Sequence, residues 1–216
     1  MEVTAGLSIP KAEPARRRPG WLIDYGERAL LILLYLLLVE RLAPSLGRQP
    51  VNTLLLLSES IVVGFVVLRR RTADVTRDPA DWMLALGGTI APLFMLPGGS
   101  PIGPSAIAGV VMVVGILTHV GAKLSLRRSF GMAAANRGVK VGGLYRFIRH
   151  PMYLGYAITW IGFLLGNPTP VNAALIVVAA SMQAARILAE ERLLSGDAVY
   201  RAYAARVRFR VIPGLF

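Results

Sequence analysis

The stretch GLYRFIRHPMYLG, from Gly143 to Gly155, joins a basic loop to the start of an apolar segment. Proline is well tolerated in the first turn of a helix, where its missing N–H costs nothing, so Pro151 predicts a helix that begins just after His150. The mouth of such a helix presents free backbone amides and the positive end of the helix dipole. We therefore expect His150 to lie where anionic groups can bind.

The rest of the chain is strongly apolar. Of its 216 residues 55% are hydrophobic, and the mean hydropathy is +0.57. Several apolar runs approach the roughly 20 residues that a helical membrane span needs. These features predict an all-α, polytopic membrane bundle of about six segments. The segments cover residues 27–46, 51–68, 82–96, 102–126, 152–166 and 171–188.

The fifth and sixth segments are joined by only four residues, 167–170. We expect them to form a tight antiparallel hairpin near the carboxyl terminus. Gly155, Gly162 and Gly166 share one face of the fifth segment, and the sixth carries alanines between 173 and 184. Small residues allow two helix backbones to approach closely, so this pattern predicts rigid pairing between the two segments.

The distribution of basic residues predicts the topology. Basic residues lie at 69–71 and 77, between 127 and 149, and in the carboxyl tail, whereas the loops 97–101 and 167–170 have none. By the positive-inside rule, six segments then place both termini in the cytoplasm, and we expect a bacterial inner membrane. Residues 1–20 are predicted to form a basic, disordered tail, followed by amino-terminal membrane helices over 21–126.

Composition excludes several classes of function. The chain has no cysteine, which excludes disulfides, thiolate nucleophiles and cysteine metal sites. The net charge of +12 does not indicate nucleic-acid binding, because the basic residues lie beside apolar segments and do not alternate with aromatic ones. Most of them, including Lys123 and Arg127, are interpreted as anchors at the membrane surface.

The end of the sixth segment and the tail that follows contain a second cluster of polar residues. Glu190 and Glu191 close the segment, and Asp197 is a plausible N-cap for a short helix after it. One face of that helix is predicted to carry Tyr200, Tyr203 and Val207.

Two motifs in this half of the chain resemble a known family. RHPMYLG and, further on, EERLL are similar to the isoprenylcysteine carboxyl methyltransferase family and its relatives, which include phospholipid N-methyltransferases of membranes. The resemblance covers about residues 127–213 and includes Gly196, Tyr200, Tyr203, Val207 and Pro213. Ser195 stands where members of the family often have an aromatic residue.

The resemblance implies a membrane methyltransferase that uses S-adenosylmethionine, with the cofactor bound on the cytoplasmic side by residues 127–216. It implies cofactor contacts from Gly143, Tyr145, His150, Pro151, Tyr153, Leu154 and Glu191. Glu190 is the alternative to Glu191, and Arg149 is a further cationic candidate for the cofactor's carboxylate. Glu191, His150 and a tyrosine are also candidates for a general base, should the acceptor be an amine or hydroxyl that arrives protonated. No metal is required.

Glu59 lies near the middle of the second segment. An ionisable group at that depth is costly, so it indicates a functional role, here at the acceptor site. The alternative is a protonated glutamate bonded to a neighbouring helix. His119 is interpreted as structural, while Gln183 and Arg186 face either the cofactor or the lipid headgroups.

Three functions remain open from the sequence. The first is methyl transfer to a lipid or other hydrophobic acceptor, with the acceptor atom and the oligomeric state undetermined. The second is a membrane reductase that uses a nicotinamide cofactor, although no glycine-rich phosphate loop is present. The third is a non-enzymatic membrane protein whose basic face binds anionic lipids.

Overall fold

A computed structural model describes residues 20–68, 79–126 and 141–216. Within those ranges the chain is helical and contains no strand, as the sequence predicts. The helices are α1 (Gly20–Leu42), α2 (Pro50–Leu68), α3 (Pro79–Ile90), α4 (Ser105–Leu126), α5 (Pro151–Gly166), α6 (Pro170–Leu194) and α7 (Ala198–Arg206). Residues 1–19 of the predicted tail and the basic residues at 69–71, at 77 and from 127 to 140 lie outside the described part of the chain, whereas residue 20 of that tail begins α1.

In the described ranges, three helices are long and apolar enough to cross a membrane, namely α2, α4 and α6. Large apolar side chains such as Val110, Leu117 and Val177 point outward from α4 and α6, as a lipid-facing surface requires. α5 is apolar but has only 16 residues. The described residues therefore contain three candidate membrane spans. The six spans expected from the sequence remain a prediction.

The third predicted segment, 82–96, is the one that departs most from a continuous span. Helix α3 ends at Ile90 after 12 residues. A short 3₁₀ turn follows over Ala91–Phe94, with Pro92 in its first positions. Proline removes a backbone donor and clashes with the preceding turn, so the α-helix does not continue through it.

The predicted pairing of the glycine face of α5 with α6 is wrong. Gly155 and Gly162 instead pack directly on α4, where a β-carbon at Gly155 would collide with the backbone of His119. Gly115 of α4 faces Thr159 of α5 in the same way. The glycine pattern correctly indicates close helix packing, but it does not say which helix is the partner. The chief partner of α6 is α3.

Buried asparagines join the helices at the end of the bundle where α5 and α6 meet. Asn167 Nδ2 donates to Asn52 Oδ1 at 2.9 Å, which links the end of α5 to α2. Asn172 Nδ2 donates to the carbonyls of Asn167 and Leu96, at 2.9 and 2.8 Å. Because all three asparagines are fully buried and hydrogen-bonded, they act as structural ties between helix ends.

The opposite end of α6 leads into the tail. Asp197 caps α7, since its Oδ1 accepts from the Val199 amide at 2.8 Å, as the sequence predicts. The predicted aromatic face is also confirmed, because Tyr200, Tyr203 and Val207 form one buried cluster. This cluster brings the tail against the junction that precedes α5.

Candidate functional site

The candidate site lies where the start of α5, the end of α6 and the tail after α7 meet. Backbone hydrogen bonds fix this meeting: the Arg149 amide donates to the Phe209 carbonyl at 2.9 Å, and the His150 amide donates to the Arg210 carbonyl at 2.8 Å. Arg149 Nη2 also donates to the Arg208 carbonyl at 2.8 Å. Two backbone hydrogen bonds and one side-chain hydrogen bond thus hold the junction and the tail in register.

His150 occupies the position that its sequence predicts. It is the N-cap of α5, with Pro151 at the first helical position. Its imidazole lies between the two glutamates of α6, with Nε2 at 3.1 Å from Glu191 Oε1 and Nδ1 at 3.9 Å from Glu190 Oε2. Two sequence motifs 40 residues apart therefore converge on one buried ring.

Glu191 is the most heavily bonded residue of the site. Arg149 Nη1 lies 2.8 Å from Glu191 Oε1, the oxygen that also contacts His150. Arg210 Nε donates to Glu191 Oε2 at 2.8 Å. With two guanidinium groups and an imidazole around one buried carboxylate, Glu191 serves to hold these groups in place.

Glu190 faces the helix bundle. Its Oε1 accepts a hydrogen bond from the Tyr153 hydroxyl at 2.6 Å and another from Arg186 Nε at 3.1 Å. The Arg186 guanidinium lies over the Tyr153 ring, 5.5 Å from its centroid. Glu190 and its partners therefore connect the cluster around His150 with the interior of the bundle.

The other predicted cofactor residues surround this cluster. Tyr145 lies in the 3₁₀ turn Gly143–Arg146, where its carbonyl accepts from the Tyr203 hydroxyl at 2.7 Å. Leu154 is half-buried and packs on the hydrophobic core. Gly143 has φ 62°, and a β-carbon there would collide with Ser125 Oγ. The positive φ of this turn and the close approach of its backbone to α4 explain why residue 143 is a glycine.

The tyrosines of the tail are neutral hydrogen-bonding groups. Burial, with the nearby Glu191 carboxylate adding to it, raises the pKa of Tyr200 to about 12. Burial also raises the pKa of Tyr203 and Tyr145 above the usual range of a phenol. At neutral pH these hydroxyls can therefore donate, but they cannot act as bases.

Sequence reasoning missed Arg210 altogether. It lies beyond α7 in an irregular segment without a recognised motif, and only the folded tail brings it to Glu191. The interpretation of Lys123 as an exposed anchor is wrong. Its side chain is fully buried at the end of α4, where Nζ lies 3.2 Å from His119 Nδ1. From sequence alone, a lysine in the last turn of an apolar helix is interpreted as an anchor at the membrane surface. Only the structure shows which neighbouring helices cover it.

Glu59 does not join the His150 cluster. It lines a separate cavity between α2, α3, α5 and α6, whose empty volume, including its open mouth, is about 420 Å³. The polar residues that line it are Glu59, Thr89, Gln183 and Arg186, and its apolar wall includes Met152, Tyr156 and Trp160. Arg186 is shared between this cavity and Glu190, so the two sites are adjacent.

Residues 103–201 match the family model described as phospholipid methyltransferase. This region of the chain is similar to that family. The matched region extends from just before α4 into α7, and so includes His150, Glu190 and Glu191. Arg210 follows it, and Glu59 precedes it.

The family confirms the resemblance that the two motifs indicate, because it is the family of membrane methyltransferases related to the isoprenylcysteine carboxyl methyltransferases. It points to a methyltransferase held in a membrane. No curated protein matches the chain.

Proposed function

We propose that this protein is an integral membrane methyltransferase that uses S-adenosylmethionine to methylate a lipid or other hydrophobic acceptor. One observation carries the proposal: His150 lies between Glu190 and Glu191, with Arg149 and Arg210 bound to the second acid, inside and next to the family region. We also propose that this cluster and both termini lie in the cytoplasm, and that the chain has six membrane segments.

The charged groups of the site fit the amino-acid end of S-adenosylmethionine, which carries a carboxylate and an ammonium. Arg149 Nε is buried and has no hydrogen-bond acceptor in the described part of the chain. A buried N–H of this kind is costly unless an acceptor binds to it, and a carboxylate oxygen meets that need. When bound, the cofactor supplies an electrophilic methyl group on its sulfonium.

The two glutamates have different bonding in this site. Both oxygens of Glu191 are occupied by strong donors. By contrast, the contact of Glu190 Oε2 with His150 is 3.9 Å long, beyond hydrogen-bonding distance. We therefore assign the cofactor's ammonium to Glu190, and we assign Glu191 the task of holding Arg149 and Arg210. The sequence alone favours the opposite order.

The acceptor enters from the lipid side and places its reactive group in the cavity at Glu59. The position of Arg186, which lines that cavity and contacts Glu190 at 3.1 Å, supports this assignment, because donor and acceptor must be adjacent for methyl transfer. Methyl transfer is an in-line displacement, so the protein's main task is to align the two groups in a pocket without water. Glu59 takes a proton only if the acceptor brings one to lose.

Binding of radiolabelled S-adenosylmethionine to the purified protein in lipid nanodiscs tests the proposal. We expect saturable binding that Glu190→Gln weakens by about a hundredfold, because the loss of a charged hydrogen bond is worth about 3 kcal/mol. Glu40→Gln is the matched control, since Glu40 is exposed on α1, and it should leave the affinity unchanged.

The same preparation separates the alternatives. Absence of saturable S-adenosylmethionine binding, together with binding of a nicotinamide cofactor, would indicate a reductase. Binding of neither cofactor, with tight binding to vesicles of anionic lipid, would indicate the non-enzymatic alternative. An affinity that Glu190→Gln leaves intact and Glu191→Gln abolishes would reverse the assignment of the two acids.

A further inference from the structure

The segment that follows α7, residues 207–210, lies against the junction that precedes α5 and has no regular secondary structure. We call this segment the strap. The Arg149 side chain donates to the Arg208 carbonyl at 2.8 Å. The amides of Arg149 and His150 donate to the carbonyls of the next two residues of the strap, at 2.9 and 2.8 Å. The backbone of the strap is therefore bound to the candidate site.

Two side chains of the strap remain accessible on its outside. Arg208 is exposed, and Phe209 is 40% exposed. On the junction, Arg146 is exposed as well, and its guanidinium lies over the Phe147 ring at 4.5 Å from the centroid. Phe147 is 61% exposed. Both arginine–phenylalanine pairs flank the hydrogen bonds between junction and strap, and these four residues make up the outer face.

The exposed charges at this end of the bundle have one sign. Between residues 141 and 216 the three acids are buried or half-buried, and every exposed charged residue is an arginine. The exposed arginines are Arg146, Arg192, Arg201, Arg206 and Arg208. At the opposite end, the loops 97–101 and 167–170 have no basic residue. The end that carries the outer face therefore complements an anionic surface.

The length of α6 places the outer face close to the headgroups of a membrane. α6 is a candidate membrane span of 25 residues, and about 20 are enough to cross the hydrocarbon core. The tail that follows it therefore begins at headgroup level. Large apolar side chains stay exposed in this region, since Leu193 is 49% and Leu215 78% exposed. Apolar groups interspersed with arginines are typical of surfaces that lie in the interface of a leaflet.

We propose that the outer face binds the headgroups of anionic phospholipids, and that the bound headgroups hold the strap on the junction. The planar donors of Arg146 and Arg208 match phosphate oxygens, and their charges are attracted to an anionic leaflet. The rings of Phe147 and Phe209 favour a lipid surface over an acidic protein, because they can enter the boundary between headgroups and acyl chains. A headgroup bound to both junction and strap stabilises the hydrogen bonds between them.

Hydrogen exchange of the Arg149 and His150 amides tests the proposal, because both amides donate to the strap. The full-length protein is measured in nanodiscs of phosphatidylcholine, and in nanodiscs that also contain phosphatidylglycerol. We expect the anionic lipid to slow the exchange of these amides by about fivefold or more. About 1 M salt, at which the Debye length is roughly 3 Å, should reduce this difference. A difference that salt leaves undiminished would overturn the proposal.

A pair of charge-matched variants locates the effect. Arg146→Gln combined with Arg208→Gln removes two charges from the outer face, and the slowing should fall to about twofold or less. Arg41→Gln combined with Arg48→Gln removes the same charge at the other end of the bundle, and should leave the slowing unchanged. Lysine at both positions of the outer face keeps the charge and should keep most of the slowing.

Equal exchange in the two kinds of nanodisc, or equal slowing in the variant with two glutamines on the outer face, would overturn the proposal. Slowing that requires an added acidic protein in place of anionic lipid would overturn it as well. The comparison of salt concentrations uses the unmodified protein, so it decides the question even if that variant does not fold. S-adenosylmethionine is absent from these measurements, which therefore leave the proposed function to its own test.

Discussion

The two acid-containing clusters of this protein differ in what surrounds each carboxylate. Around Glu191, donors from the junction and the tail occupy both oxygens. Glu59 lines a cavity, and no side-chain donor to its carboxylate is seen in the described part of the chain comparable with those around Glu191. A carboxylate bonded on all sides organises its neighbours, whereas one that lines a cavity can meet a ligand. The same residue type therefore has two different surroundings, and the difference comes from the partners that each helix brings.

The largest expected effect comes from breaking the helix contact on which both clusters depend. Gly155→Ala places a β-carbon against the backbone of His119, so α4 and α5 must separate. We expect a loss of about 3 kcal/mol of stability, and weaker binding of both S-adenosylmethionine and acceptor. Gly109→Ala is the control, because a β-carbon at Gly109 meets open space. Thermal unfolding in detergent measures the difference, and equal melting temperatures of the two variants would contradict the packing described.

The next effect should be confined to the first cluster. Arg210→Ala removes the 2.8 Å contact with Glu191 Oε2, and we expect the affinity for S-adenosylmethionine to fall about thirtyfold. Arg206→Ala, at an exposed position on α7, should leave it unchanged. A double-mutant cycle with Glu191→Gln would show whether the two residues act together. Strictly additive effects would mean that Arg210 does not act through this acid.

A substitution at Glu59 should change acceptor turnover more than the affinity for S-adenosylmethionine. Glu59→Gln keeps the shape of the side chain but removes its charge, so we expect acceptor turnover to fall by about tenfold or more. The affinity for S-adenosylmethionine should change less than about twofold, because Glu59 lies outside the His150 cluster. Turnover assays with extracted membrane lipids and equilibrium binding on the same preparation measure both. Normal turnover with every acceptor tested would mean that Glu59 has a structural role only.

The smallest expected effect concerns the tail that supports the first cluster. Tyr203→Phe removes the hydrogen bond from its buried hydroxyl to the Tyr145 carbonyl, and we expect a loss of about 1 kcal/mol of stability. S-adenosylmethionine binding should weaken only slightly, because Arg210 keeps its ion pair with Glu191. Denaturant unfolding gives the stability, and a loss of binding as large as that of Arg210→Ala would mean that Tyr203 has a direct role in the site.

The sequence predicts those parts of the structure that depend on local pattern. The helical class, the start of α5 at Pro151, the cap at Asp197 and the face shared by Tyr200 and Tyr203 follow from spacing and residue type, and all are confirmed. Two motifs with a recognisable resemblance also predict that His150 and Glu191 share a site. The structure places them in contact, while their roles in binding remain proposals.

What the sequence does not predict depends on which elements become neighbours. The glycine face of α5 is readable, yet its partner is α4 and not α6. By sequence Lys123 has the pattern of an anchor at the membrane surface, but in the structure α2 and α5 cover its side chain. Arg210 follows the last helix without a motif, and it becomes part of the site only because the tail folds back on the junction.

The glycine contact between α4 and α5 also bears on how this enzyme class could be redesigned. α4 carries His119 and α5 begins at the His150 junction, and where Gly115 and Gly155 meet the facing helix there is no room for a larger side chain. The remaining walls of the cavity come from α2, α3 and α6. If the proposed function holds, a change of acceptor is therefore more readily obtained by substitutions on those three helices than on the contact between α4 and α5.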